Sequence, residues 1–141
     1  MYERIADDEL LYRSVRDLAE CHVTTAQQLV QLSQSAFNDP DHQPSVDRAS
    51  LRPSGPDSAR RGEDHGVVGL DARSVRRIVF ASKDGNHVTL VKAAPLPDNA
   101  AHALICADPN VSSGSAFRRM KEALCRIAKP GGWLSLPQSA R

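Results

Sequence analysis

Aromatic residues make up only 4% of this 141-residue chain: three Phe, two Tyr and one Trp. A packed core must therefore rest on Leu, Val, Ile and Ala. The same scarcity argues against nucleic acid as a partner, because single-strand binders interleave aromatic stacking platforms with their basic residues, and the basic C-terminal part offers only Phe117 and Trp133. Nor does any apolar run approach the roughly 18 residues of a membrane span. The opening "MYERIADDELLYRSV" is charged throughout, unlike a signal peptide. Three cysteines, Cys21, Cys106 and Cys125, are odd in number and lack CxxC spacing, which points to reduced structural thiols and a cytoplasmic protein. His42 and His65 have no histidine or cysteine at ligand spacing, so no metal site is expected.

Charge is distributed unevenly. Residues 1–37 hold six acids and three bases, residues 38–66 six acids and four bases, and residues 67–141 five acids and eleven bases. The basic part could meet an anionic ligand or the acidic N-terminal part of the same chain.

Three segments follow from pattern. In residues 8–20, Leu11, Val15, Leu18 and Ala19 recur at helical spacing behind a capping Asp7 or Asp8. "CHVTTAQQLVQLSQSAF" restarts with capping-box pairs Thr24–Gln27 or Thr25–Gln28. Together they predict a helical hairpin over 1–37, whose apolar side over 8–37 could serve a homo-oligomer or a protein partner. Residues 38–66 carry Pro40, Pro44, Pro53 and Pro56 and little apolar content, the composition of a flexible or disordered linker. Residues 67–141 predict a small α/β domain. "GVVGLD", "HVTLVKA", "HALICA" and "WLSLP" read as strands. "AFRRMKEALCRIA" reads as a helix with Phe117, Met120, Leu124 and Ile127 on one face, capped by Ser113 or Ser115 and stopped by Lys129-Pro130-Gly131-Gly132. "ARSVRRIVFAS" fits either a helix, which gives a parallel crossover, or a strand, which makes a hairpin through the Asp84-Gly85 turn.

The ordered pieces "VVGLDARS", "HVTLVKAAPLPDNAAHALICA" and "AFRRMKEALCRIAKPGGWLSL" resemble the class I S-adenosylmethionine-dependent methyltransferases over residues 67–137. The resemblance implies a Rossmann-like sheet, S-adenosylmethionine as cofactor, and Asp71 on its ribose, with Gly69 and Leu96 beside it. It also places a reactive group or acceptor near Asp108. The family's first strand and glycine-rich turn have no counterpart in "DRASLRPSGPDSARR", which implies a degenerate or truncated relative. "HVTLVKAAPLPDNAAHALICADP" is also similar to the closing β-hairpin of PAS-like sensor domains found ahead of LuxR-type DNA-binding domains. That resemblance implies an antiparallel α+β sheet and a non-catalytic sensor or interaction module. Residue by residue, Asp71 is equally a helix cap and Asp108 a turn-forming Asp-Pro. Cys106 reads as a core residue, and His102 as a lone imidazole at a strand start. Arg118, Arg119, Lys121 and Arg126 read as the solvated side of the helix.

Overall fold

The computed structural model describes residues 4–16, 21–25, 28–128 and 132–137, with side chains described outside residues 21–31. Its strands are β1 (Leu10–Arg16), β2 (Cys21–Thr25), β3 (Gln28–Leu32), β4 (Ser45–Arg48), β5 (His65–Asp71), β6 (Val79–Ser82), β7 (Gly85–Ala93), β8 (His102–Asp108) and β9 (Trp133–Ser135). The helices are α1 (Ala72–Arg76) and α2 (Gly114–Ala128). Seven strands form one sheet in the order β6-β7-β8-β4-β1-β5-β9, and β2 pairs with β3 in a separate ribbon.

Every pairing in the large sheet is antiparallel. This corrects the expectation of a Rossmann-like parallel sheet. Parallel neighbours need a crossover of about a dozen residues or more, usually helical. Here β6 reaches β7 through two residues, Lys83 and Asp84, with Gly85 at φ 112°. The loop from β7 to β8 contains no helix. The ambiguous stretch 73–82 divides between the two readings: its start completes the short α1, and its end is β6, paired Val79↔Val88 through Ser82↔Gly85.

The N-terminal helical hairpin is also corrected. Residues 10–16, 21–25 and 28–32 are strands, and only Gln34–Phe37 makes a 3-10 turn. β1 alternates Leu11, Arg13 and Val15 inward. Arg13 breaks the apolar alternation in the sequence, yet it is buried because Asp39 and two backbone carbonyls take its guanidinium. Leu18 and Ala19, half of the expected helical stripe, lie outside the described residues. The segment 38–66 is no open linker either, since it supplies β4, which pairs with β1 on one side and β8 on the other. Two of its arginines are paired in place: Arg48 donates to Glu9 at 3.0 Å and Arg52 to Asp47 at 3.1 Å.

The main core lies between one face of the sheet and α2. Ala116, Phe117, Met120, Leu124 and Ala128 of α2 are buried against Leu11, Val46, Val68, Leu70 and Ile105. Ser113 begins this helix, its Oγ accepting from the Ala116 amide at 3.2 Å. On the opposite face, Tyr12, Val67 and Ala59 form a small second cluster under the 3-10 turns at Ala49–Leu51 and Pro56–Ala59. Of the Lys-Pro-Gly-Gly turn, only Gly132 is described, at φ 60°. No helix among the described residues is long and apolar enough to cross a membrane.

Candidate functional site

β4 and β8 run antiparallel with Asp47 opposite His102, so both side chains stand on the face away from α2. The segment that follows β4 folds back over this face. It brings Arg52, Arg60 and Arg61 around the same point, while the β7–β8 loop brings Leu96 and Asn99. These residues line a cleft of about 280 Å³.

The cleft floor is a closed polar triangle. Asp47 Oδ1 accepts from Asn99 Nδ2 at 2.8 Å, and its Oδ2 from Arg52 Nη2 at 3.1 Å. Arg52 Nη2 also donates to Asn99 Oδ1 at 3.0 Å. Asn99 is held in turn by its loop, where the Leu96 and Asn99 backbones bond each other at 3.0 Å in both directions. Arg52 Nε is buried with no hydrogen-bond partner among the described residues. His102 Nδ1 meets the Ala94 carbonyl at 2.8 Å. A carbonyl can only accept, so this bond fixes Nδ1 as the protonated nitrogen and leaves Nε2 as an acceptor in the neutral ring.

The walls carry Arg60 and Arg61 together with the exposed Asp98 carboxylate. Arg61 donates through Nη2 to Ser45 Oγ at 3.0 Å, and no ion pair forms on it among the described residues. Arg60 donates to the Leu136 carbonyl at 3.2 Å and faces the exposed Asp57 carboxylate at 3.6 Å. A guanidinium presents a planar fork of donors that matches a carboxylate or phosphate edge. The arrangement is suited to holding an anion beside a polar floor, with His102 Nε2 able to accept from a ligand hydroxyl.

The residues that the methyltransferase resemblance singles out are not brought together. Asp71 caps α1: its Oδ1 accepts from the Ser74 amide at 2.8 Å and its Oδ2 from the Ser74 hydroxyl at 2.7 Å. The Ser74 hydroxyl chiefly holds this carboxyl below its ordinary range, aided by the Ser74 amide, Arg73 and Arg77 against partial burial. Gly69 sits mid-strand, and a Cβ there would meet Leu134 Cδ1 at 2.8 Å and Leu10 Cδ1 at 3.0 Å. Its open side is thus filled by leucines, not by space for a cofactor. Leu96 lies in the β7–β8 loop, and β8 is three strand positions from β5, about 14 Å along a sheet of ordinary spacing. Leu96 belongs to the arginine cleft. Asp108 is exposed at the other end of β8, before a cis Asp108–Pro109 bond. The cleft that Leu96 lines includes neither Asp71 nor Gly69.

Burial pushes the Cys106 thiol up, and pushes Cys125 up to about 11 with help from Glu122. Both are poor nucleophiles at neutral pH. No group of three His, Cys, Asp or Glu side chains suited to a metal occurs among the described residues.

Comparisons with protein-family models, curated proteins and solved structures return no match to this chain. Sequence reasoning named His102 and Leu96 but missed Asp47, Arg52, Arg60, Arg61 and Asn99. The available signal was the arginine content of 38–66, which the prolines disguised as linker composition.

Proposed function

We propose that this chain is a binding or sensor module for a small ligand bearing a carboxylate or phosphate, taken up in the cleft over β4 and β8. One observation carries the reading: Arg61 lines that cleft with a single neutral side-chain partner and no carboxylate of its own among the described residues. Arg60, beside Asp57, adds a second guanidinium; Arg52 is balanced by Asp47, whose bond to Asn99 holds the floor, and Asp98 adds one carboxylate to the lining. A charge-assisted, two-pronged contact with an anion would use guanidinium donors that the fold leaves open. Methyl transfer is the competing proposal. It gains no support from the positions of Asp71, Gly69 and Leu96.

Calorimetry with inorganic phosphate, adenosine monophosphate and S-adenosylmethionine decides between them. The expected result is binding of the phosphates, weakened about tenfold or more by Arg61→Gln, as loss of a charge-assisted contact requires. Absence of phosphate binding at millimolar ligand, or binding indifferent to both Arg60→Gln and Arg61→Gln, overturns the reading. Binding of S-adenosylmethionine that is lost on Asp71→Asn supports the methyltransferase proposal instead.

A further inference from the structure

The β6–β7 hairpin sets two chemically matched groups together at the end of the sheet remote from the arginine cleft. Phe80 pairs with His87 and Ser82 with Gly85, so Phe80, Ser82 and His87 share one face, Ser82 diagonal to the imidazole. Ser82 Oγ lies 2.7 Å from His87 Nε2. On the other side of the ring, Nδ1 lies 2.6 Å from the Pro109 carbonyl oxygen. That oxygen accepts only, so Nδ1 carries the proton and Nε2 presents its lone pair to the serine O–H. The ring is 1% exposed and stacks on Phe80 at 4.8 Å and 15°. The Asp84 amide donates to Ser82 Oγ at 3.1 Å and sets the hydroxyl's position. Asp84 is itself braced by the Ser112 hydroxyl.

We propose that Ser82 and His87 are a nucleophile–base pair able to cleave activated esters. A serine hydroxyl on a histidine whose second nitrogen is held by an acceptor is the arrangement that makes the hydroxyl reactive. His87 is buried, but Ser82 is half-exposed beside the exposed turn residues 83–86, so an acyl carbon can reach Oγ. Arg119 adds a cation next to it, donating to the Ala81 carbonyl at 2.9 Å. In the first step Oγ bonds to the acyl carbon and its proton passes to Nε2. The ester C–O bond then breaks and the imidazolium protonates the departing alkoxide. Water next attacks the acyl-serine and loses its proton to Nε2. The Oγ–acyl bond breaks and Oγ regains that proton from the imidazolium. The net reaction is hydrolysis of one ester to one acid and one alcohol. The site is separate from the cleft, and neither reading rests on the other.

The test uses the full chain and a fluorophosphonate probe, with peptide mass mapping. Ser82 is expected to be the phosphonylated residue, with labelling abolished by Ser82→Ala and kept by Ser115→Ala. Absence of labelling, or labelling only elsewhere, overturns the proposal. Because His87→Gln removes a buried ring and can unfold the chain, the base is tested through Ser82→Cys. Iodoacetamide should alkylate that variant about tenfold faster than Ser115→Cys, since a neighbouring imidazole raises the thiolate fraction. Equal rates make Ser82 a turn hydroxyl and remove the base role of His87.

Discussion

Arg13 and Asp39 meet in a two-pronged contact, Nη1 to Oδ2 at 3.0 Å and Nη2 to Oδ1 at 2.6 Å. The contact ties β1 to the segment that enters β4. Arg13 also donates to the Ala36 and Ser45 carbonyls at 2.8 and 2.7 Å, and Asp39 accepts from the Ser45 amide at 2.8 Å. The guanidinium carbon lies 5.4 Å from the Phe37 ring centre. One charge pair thus fixes the backbone on both sides of Pro40.

Removing one member leaves the other charged and largely dehydrated. Asp39→Ala and Arg13→Met should each lower stability by about 3 kcal/mol or more, the scale for breaking a buried pair. Combining Arg13→Met with Asp39→Ala should recover part of that loss, since no uncompensated charge remains. Urea denaturation of the four chains gives the coupling; strictly additive losses would contradict a direct interaction.

Acid should destabilise the protein in a defined window. Burial opposes ionisation of Asp39, but hydrogen bonds and charge from Arg13, with the Ser45 amide, hold its carboxyl below the ordinary range. Burial likewise opposes ionisation of Glu9, and the Ser50 hydroxyl, Ser50 amide and Arg48 outweigh it. A depressed folded value means that the unfolded chain takes up protons first as pH falls. The stabilisation is therefore complete above about pH 5 and is lost progressively below about pH 4. Urea midpoints measured from pH 7 to pH 3 should stay level and then drop. Asp39→Asn should start lower and show a shallower acid limb.

Two glycines of β5 should respond differently to alanine. A Cβ at Gly66 would lie 2.5 Å from the Trp133 ring and 2.8 Å from the Ser135 carbonyl oxygen, so β9 would have to move. At Gly69 the nearest atoms are the ends of Leu134 and Leu10, both partly exposed and free to rotate. Gly66→Ala should cost about 1–3 kcal/mol, the range for overpacking, and Gly69→Ala clearly less. Thermal melts of the two variants check the order, and equal losses would refute this account of β5–β9 packing.

What could be read from residues alone follows from where the charges went. β5, β8 and α2 were legible because their inward positions are apolar, as in Val68 and Leu70 or Phe117, Met120 and Leu124, and β7 through its β-branched run although it turns His87, Thr89 and Val91 inward. β1 was not, because Arg13 occupies an inward position and left Leu11 and Val15 at a spacing that also suits a helix. β4 was hidden in the same way: Asp47 and Arg48 look solvated in sequence, yet each is buried by a partner far along the chain. The cleft depended on Asp47 and Arg52 meeting Asn99, and no local pattern announces a partner 47 or 52 residues away. The Ser82–His87 contact was closer to reach, because a hairpin through Asp84-Gly85 sets that diagonal.

The strand order carries a consequence for synthesis. β1 lies inside the sheet, with Leu11 between Arg48 of β4 and Leu70 of β5. A chain emerging from the ribosome therefore presents β1 without β4 until residue 48 has followed it out, and without β5 until residue 71. β1 is obliged to wait for later strands, and non-local pairing of this kind slows folding and leaves open edges exposed in the interval. Nascent chains arrested before β5 should be the form of this protein most in need of a chaperone.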